Sequence, residues 1–266
     1  MLYQFRRYAK AVNRMDYRLL MDTSILAGEI IMENGGEAYR AEETVNRMLN
    51  TSNAKHVEVV VMGTSMVATV SNPYRDAITA TRRIRRRGTN LQRIAEVNVV
   101  SREMCEGRLS LEEAFHQLEE LREKKQYPEW VRVIASMIGV MGFTYTFGGR
   151  GMDLLFAMLC GVAVYAVQYI NRYTGLSGII NVALSSFAVS VVAVLLYHLF
   201  PNQMNPDTVI IGGLMLLVPG LAITNSARDL LAGDYVSGTA RVMEAVVTSL
   251  AMVLGTGLAL LLRSLI

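Results

Sequence analysis

The chain has 266 residues, 52% of them apolar, a mean hydropathy of +0.30 and a net charge of +3. That charge is too small and too mixed for a nucleic-acid binder, which needs a basic face to neutralise phosphates. Two cysteines in different halves and three scattered histidines support neither a disulfide framework nor a metal centre, and no cofactor is expected. The charge is lopsided: 20 of 26 basic and 18 of 23 acidic residues precede residue 131, so a polar half is joined to a membrane half.

The N-terminus, MLYQFRRYAKAVNRMDYRLL, carries charge throughout and has no uninterrupted apolar core, which excludes an ordinary secretory signal. The polar half is therefore expected to stay in the cytoplasm. Residues 16–34 place Leu19, Leu20, Ile25, Leu26, Ile30 and Ile31 at helical spacing, and Asn34-Gly35-Gly36 suits a left-handed helix end. EAYRAEETVNRMLN follows as a second helix with Ala38, Ala41, Val45, Met48 and Leu49 on one stripe. The period then changes to that of strands in HVEVVVM and SMVATV, joined through Gly63-Thr64 as a hairpin, with AITATRRI as a third strand. Residues 89–105 and 110–125 return to helical patterning, the second opened by Ser110 and Glu113 as a capping box. The basic run Arg82-Arg83-Ile84-Arg85-Arg86-Arg87 reads as a solvated, partly acid-paired stretch, with anionic lipid or an anionic solute as sharper alternatives. Residues 1–127 thus form a cytoplasmic α+β domain.

At QYPEWVRVIASMIG the composition turns, with Trp130 placed as an interfacial aromatic. Residues 128–266 read as a polytopic α-helical membrane domain of about five transmembrane helices, near 131–148, 152–170, 178–200, 208–226 and 240–262. The basic residues of the loops agree weakly with a cytoplasmic N-terminus in a multi-pass protein of the plasma (inner) membrane. The fourth span contains Pro219-Gly220 and then Thr224, Asn225, Ser226, Arg228 and Asp229. A proline inside a span removes one donor and frees carbonyls that another group has to meet, either a neighbouring helix or a wetted solute path. In the fifth span Glu244 follows Arg241 by three residues, close enough to share a face. The pair reads as structural or as part of a substrate path. Asn181 is a weaker polar mark in the third span, and Gly139, Gly142, Gly255 and Gly257 read as close-packing positions.

The segment LLVPGLAITNSARDLLAGDYVSGTARVMEA resembles the Pro-Gly signature of the threonine/serine exporter family, with its following Asn, Asp, Gly-Asp, Gly and Arg. ENGGEAYRAEETV is similar to that family's N-terminal helix pair, and the Pro128–Trp130 junction fits as well, so the resemblance runs over nearly the whole chain. It implies the larger component of a two-protein exporter, working with a small membrane partner of four or five spans. The implied substrate is threonine and serine or a dicarboxylate such as succinate. By position it assigns Pro219 and Gly220 to the helix break, Thr224 and Asn225 to substrate contact, and Arg228 with Asp229 to an inner gate. Gly233, Asp234 and Gly238 fall to a tight cytoplasmic turn, and Arg241 and Glu244 to the pathway. Nothing in the chain supplies an unmistakable clamp for a substrate carboxylate. Without a P-loop the expected energy source is an ion gradient.

Two rival readings place the activity in the N-terminal domain. Asp22, Glu29, Glu37, Glu42, Glu43 and His56 can be cast as acids and base of a membrane-anchored hydrolase, although no G-x-S-x-G elbow or metal motif accompanies them. Alternatively the domain is a regulatory subunit that senses solute and gates the pore through Tyr127-Pro128.

Overall fold

The computed structural model describes residues 16–73, 75–85, 88–124 and 127–263, Arg75 and Arg263 by their backbone alone. The N-terminal stretch 1–15 and Arg86 and Arg87 of the basic run lie outside the described residues. The protein is mostly helical, with one small sheet, and divides into two compact units. One is the N-terminal part through Lys125 together with Ile223–Arg241; the other is Gln126–Ala222 with Val242–Ile266.

The first unit is built around α1 (Tyr17–Glu33), capped by Asp16, whose carboxylate accepts from the Arg18 and Leu19 amides. Its residues from Met21 to Met32 are buried except for Asp22, because α2 (Ala38–Asn50), α3 (Leu91–Cys105), α4 (Leu111–Glu123) and the sheet all pack against it. The sheet is an antiparallel meander of β1 (His56–Met62), β2 (Ser65–Asn72) and β3 (Arg75–Arg83). Its tight β1–β2 register pairs Met62 with Ser65, and alternate residues Val59, Val61, Met66, Ala68 and Val70 enter the core. Ser110 and Glu113 close a full capping box on α4, and the Ser110 amide that donates to the Glu113 carboxylate holds that carboxyl below its ordinary range.

The second unit is a helical bundle: α5 (Glu129–Thr146), α6 (Met152–Thr174), α7 (Gly178–Leu199) and α8 (Pro206–Met215). α9 (Gly220–Leu231) begins in it, and most of α10 (Tyr235–Arg263) lies in it. Three of these helices, α6, α7 and α10, are long and apolar enough to cross a membrane. They become four if α8 and α9, bent by 50° at their break, count as one span. Helix α5 occupies the remaining expected span, but Glu129 and Arg132 in its first turn dilute its apolar run.

Small residues set the packing of this bundle. A Cβ on Gly161 would sit 2.8 Å from the Met137 Cα, and Ser136 donates to the Gly161 carbonyl at 2.8 Å, so α5 and α6 touch backbone to backbone. Trp130, 67% exposed, stands at the start of α5. Close by, Glu129 gathers Arg172 at 2.6 Å, Arg132 and the Tyr165 hydroxyl. Tyr165, Tyr169 and Tyr173 continue as an aromatic row down α6, a composition suited to a headgroup layer.

Candidate functional site

The break expected at Pro219 is present. Helix α8 ends at Met215, Leu216–Pro219 are non-helical, and α9 restarts at Gly220. The cause is local, since Pro219 has no N–H for the Met215 carbonyl four residues back and its ring crowds that turn. The Gly220 amide turns back to the Val218 carbonyl at 2.8 Å instead. Pro219 is half-buried and Gly220 and Thr224 are exposed.

Beyond the break, residues 223–241 form a helical hairpin inside the first unit. Helix α9 ends in a Schellman turn: Gly233 adopts φ +87°, its amide reaches the Leu230 carbonyl at 3.1 Å, and the Asp234 amide reaches the Asp229 carbonyl at 3.0 Å. Asp234 then caps α10, accepting from the Ser237 amide at 3.0 Å. Gly238 lets the two arms close, because a Cβ there would lie 2.6 Å from the Leu230 side chain. These three residues make the connection between α9 and α10.

The hairpin is clasped to the turn between α1 and α2. That turn is itself a Schellman motif, with Gly35 at φ +88° and the Gly36 amide on the Ile31 carbonyl at 2.9 Å. Its carbonyls face the hairpin. Asn225, 5% exposed, donates from Nδ2 to the Gly35 oxygen at 2.9 Å, and Arg241 donates to the Gly36 oxygen at 2.8 Å. Arg228 pairs with Glu37, the residue that precedes α2, and Glu37 also holds Arg40 at 3.3 Å.

Asp229 is wholly buried, and its Oδ2 lies 2.9 Å from the Arg241 Nε. The two are close as charges but not aligned as a hydrogen bond, and neither carboxylate oxygen of Asp229 has a hydrogen-bond partner among the described residues. A buried carboxylate held by one cation is costly to disturb, since removing the cation leaves an uncompensated charge. Of the residues singled out from sequence, the fold therefore brings together Asn225, Arg228, Asp229 and Arg241, with Gly233, Asp234 and Gly238 shaping their support. Glu244 is exposed one turn along α10, and Asn181 lies in the second unit on α7.

Periodicity did not reveal Glu37 and the Gly35 and Gly36 carbonyls as partners of this hairpin, because the bonds cross 190 residues or more of sequence. The acids and base considered for hydrolysis are dispersed. Asp22, Glu43 and His56 are exposed, Glu42 accepts from the Val61 amide at 3.2 Å, and Glu29 is buried between Arg122 at 3.4 Å and Arg82 at 3.7 Å. Among the described residues no three His, Cys, Asp or Glu side chains come together as metal ligands.

Comparison with known proteins agrees with the resemblance. Residues 22–263 match the family described as "Putative threonine/serine exporter". A Mycobacterium tuberculosis protein named "Probable threonine/serine exporter" is 22% identical over 255 residues, which is 94% of this chain but only 47% of the relative. The chain thus spans about half the length of that relative. The Escherichia coli "Probable succinate transporter subunit YjjP" is 25% identical over 242 residues, covering 89% of this chain and 91% of the relative. A Yarrowia lipolytica "Pheromone-regulated membrane protein 10" is 28% identical over 181 residues, 65% of this chain and 14% of the relative. No solved structure is significantly similar. With most of its length matched and its apolar helices in place, the chain is a multi-pass membrane protein that belongs to the threonine/serine exporter family.

Proposed function

We propose that the chain is the larger subunit of an exporter for a small polar metabolite, threonine and serine or a dicarboxylate such as succinate, driven by an ion gradient. The observation that carries this reading is the interrupted crossing at Leu216–Pro219. A family member whose apolar span is broken at a proline has peptide groups available to a solute within the membrane, which a simple anchor does not need. The chain spans the plasma (inner) membrane five times, α5 being the first crossing, with the N-terminal domain in the cytoplasm. A second membrane protein of four or five spans completes the pathway. The matching length of the E. coli relative and the word "subunit" in its name support that division, as does the double length of the M. tuberculosis relative.

In this reading Pro219 and Gly220 form the break, and Thr224 and Asn225 meet the solute at its inner side. Arg228, Asp229 and Arg241 act as a latch that holds the hairpin shut against the Gly35–Gly36 turn, with Glu244 at the edge of the path. The N-terminal domain works as the frame of that latch rather than as a hydrolase.

The test is efflux of threonine, serine and succinate from preloaded cells with and without the chain. In cells that also express the partner, Asn225→Ala and Asp229→Asn are expected to abolish efflux at an unchanged amount of protein in the membrane. Unchanged efflux in both variants would reduce the break to a packing kink.

A further inference from the structure

Helix α7 carries a row of buried serines whose hydroxyls behave differently. Ser186 and Ser190 satisfy themselves in the ordinary helical way, donating to the carbonyls of Val182 and Ser186, each at 2.9 Å. Ser185 is equally buried, at 0% exposure, yet its Oγ has no hydrogen-bond partner among the described residues. One turn earlier on the same face, the buried Oδ1 of Asn181 also lacks one. Buried polar atoms are nearly always paired, so two adjacent exceptions on one helix face call for a physical reason.

The register of the bundle supplies it. A Cβ on Gly213 would lie 2.5 Å from the Val189 side chain, which fixes where α8 crosses α7. The two helices are consecutive and joined by the short connection 200–205, so they run antiparallel. One turn back from Val189 on α7 is Ser185, and one turn forward from Gly213 is Leu217, inside the break and in the same buried cluster as Val189. Ser185 and then Asn181 therefore flank the non-helical stretch, where Pro219 leaves the Met215 carbonyl without its usual donor. Thr144 offers a useful contrast. Its Oγ1 is also unpaired, but it lies against Gly212, where a Cβ would come within 2.0 Å of it, one turn before the break.

The Asn181 oxygen is an acceptor short of a donor, the Ser185 hydroxyl, which can both donate and accept, meets no partner among the described residues, and neither α7 nor residues 216–222 contain an Asp, Glu, Lys or Arg. We infer that Ser185 and Asn181 on α7, together with the broken backbone of Leu216–Pro219, form a solute-binding site. It takes a small net-neutral solute that donates hydrogen bonds through hydroxyl or ammonium groups. A fully ionised dicarboxylate fits it poorly, because its two charges meet no counter-charge there and it has no donor for the Asn181 oxygen. The assignment rests on the exporter reading and adds to it the wall opposite the break.

The experiment places a single thiol in the full chain in its native membrane. Cys105 and Cys160 are replaced by Ala, and Ser185→Cys is compared with Ser186→Cys for reaction with a small hydrophilic thiosulfonate. The thiol introduced at position 185 is expected to react about tenfold faster, and threonine or serine is expected to slow it while succinate at neutral pH does not. In parallel, Ser185→Ala is expected to weaken the efflux affinity for those donors about tenfold, with Ser186→Ala close to the parent chain. Equal, slow reaction at both positions overturns the site, and protection by succinate alone overturns its preference for donors. If the parent chain exports none of the three solutes while the thiol at 185 still reacts, the exporter reading fails and the wetted site stands.

Discussion

The two units spend their large apolar side chains in opposite directions. In the first, the biggest residues are the most deeply buried: Leu20, Met21, Ile25, Ile30, Ile31, Met48, Leu49, Met66 and Leu118. In the second, the buried positions go largely to Ala, Ser, Gly and Val, while Leu155, Leu159, Leu195, Leu250, Leu254 and Leu258 point outward. Polar groups divide the same way. The first unit buries carboxylates at Glu29, Glu37 and Asp229 and gives each an arginine; the second, among the described residues, buries hydroxyls at Thr144, Ser185, Ser186 and Ser190 and no charge. The difference teaches which solvent each surface faces. Against water, burying large side chains is the main source of stability. Against lipid it gains little, and close contact between small residues takes over.

Four substitutions test this contrast. The largest effect is expected from Arg241→Met, which leaves Asp229 charged and alone in the first unit; about 3–5 kcal/mol of stability should be lost. Thermal unfolding of the purified full chain measures it, and adding Asp229→Asn should restore part of the loss. A pair of leucines comes next. Leu118→Ala, at 0% exposure, should cost about 2–5 kcal/mol. Leu254→Ala, at 66% exposure on the lipid side, should stay within about 0.5 kcal/mol in detergent or bilayer. Equal losses at the two leucines would break the comparison. Below the buried leucine comes Gly35→Ala, where φ +88° makes a side chain strained by about 1–2 kcal/mol. Slower-growing hydrogen exchange at the Gly36 and Asn225 amides of the parent than of this variant would show that the strain is felt in the clasp.

Much of this architecture was legible in the sequence because local chemistry dictates it. The change of period at His56 marks the sheet, Ser110 with Glu113 marks a helix start, and Asn34-Gly35-Gly36 marks a helix end. Pro219 announces the break for the same reason, since a missing N–H acts within four residues. What local reasoning does not reach is the destination of the hairpin 223–241. Arg241 stands three residues from Glu244, and helical spacing suggests a neighbourly pair, yet its guanidinium is engaged by Asp229 and Gly36. Likewise Ser185, Ser186 and Ser190 look alike in sequence, and only the register of α7 on α8 separates the unmet hydroxyl from the satisfied ones.

The clasp at Gly35 and Gly36 is made to main-chain oxygens, so its recognition does not depend on which side chains decorate that turn. It also means that the first unit is finished only when residues 223–241, from beyond the break, return to it. A fragment ending near residue 127 would leave the two turn carbonyls without these donors and would take Arg228, but not Arg40, from Glu37. Such a fragment is an incomplete module, and its biosynthesis cannot conclude until most of the membrane half has already been inserted.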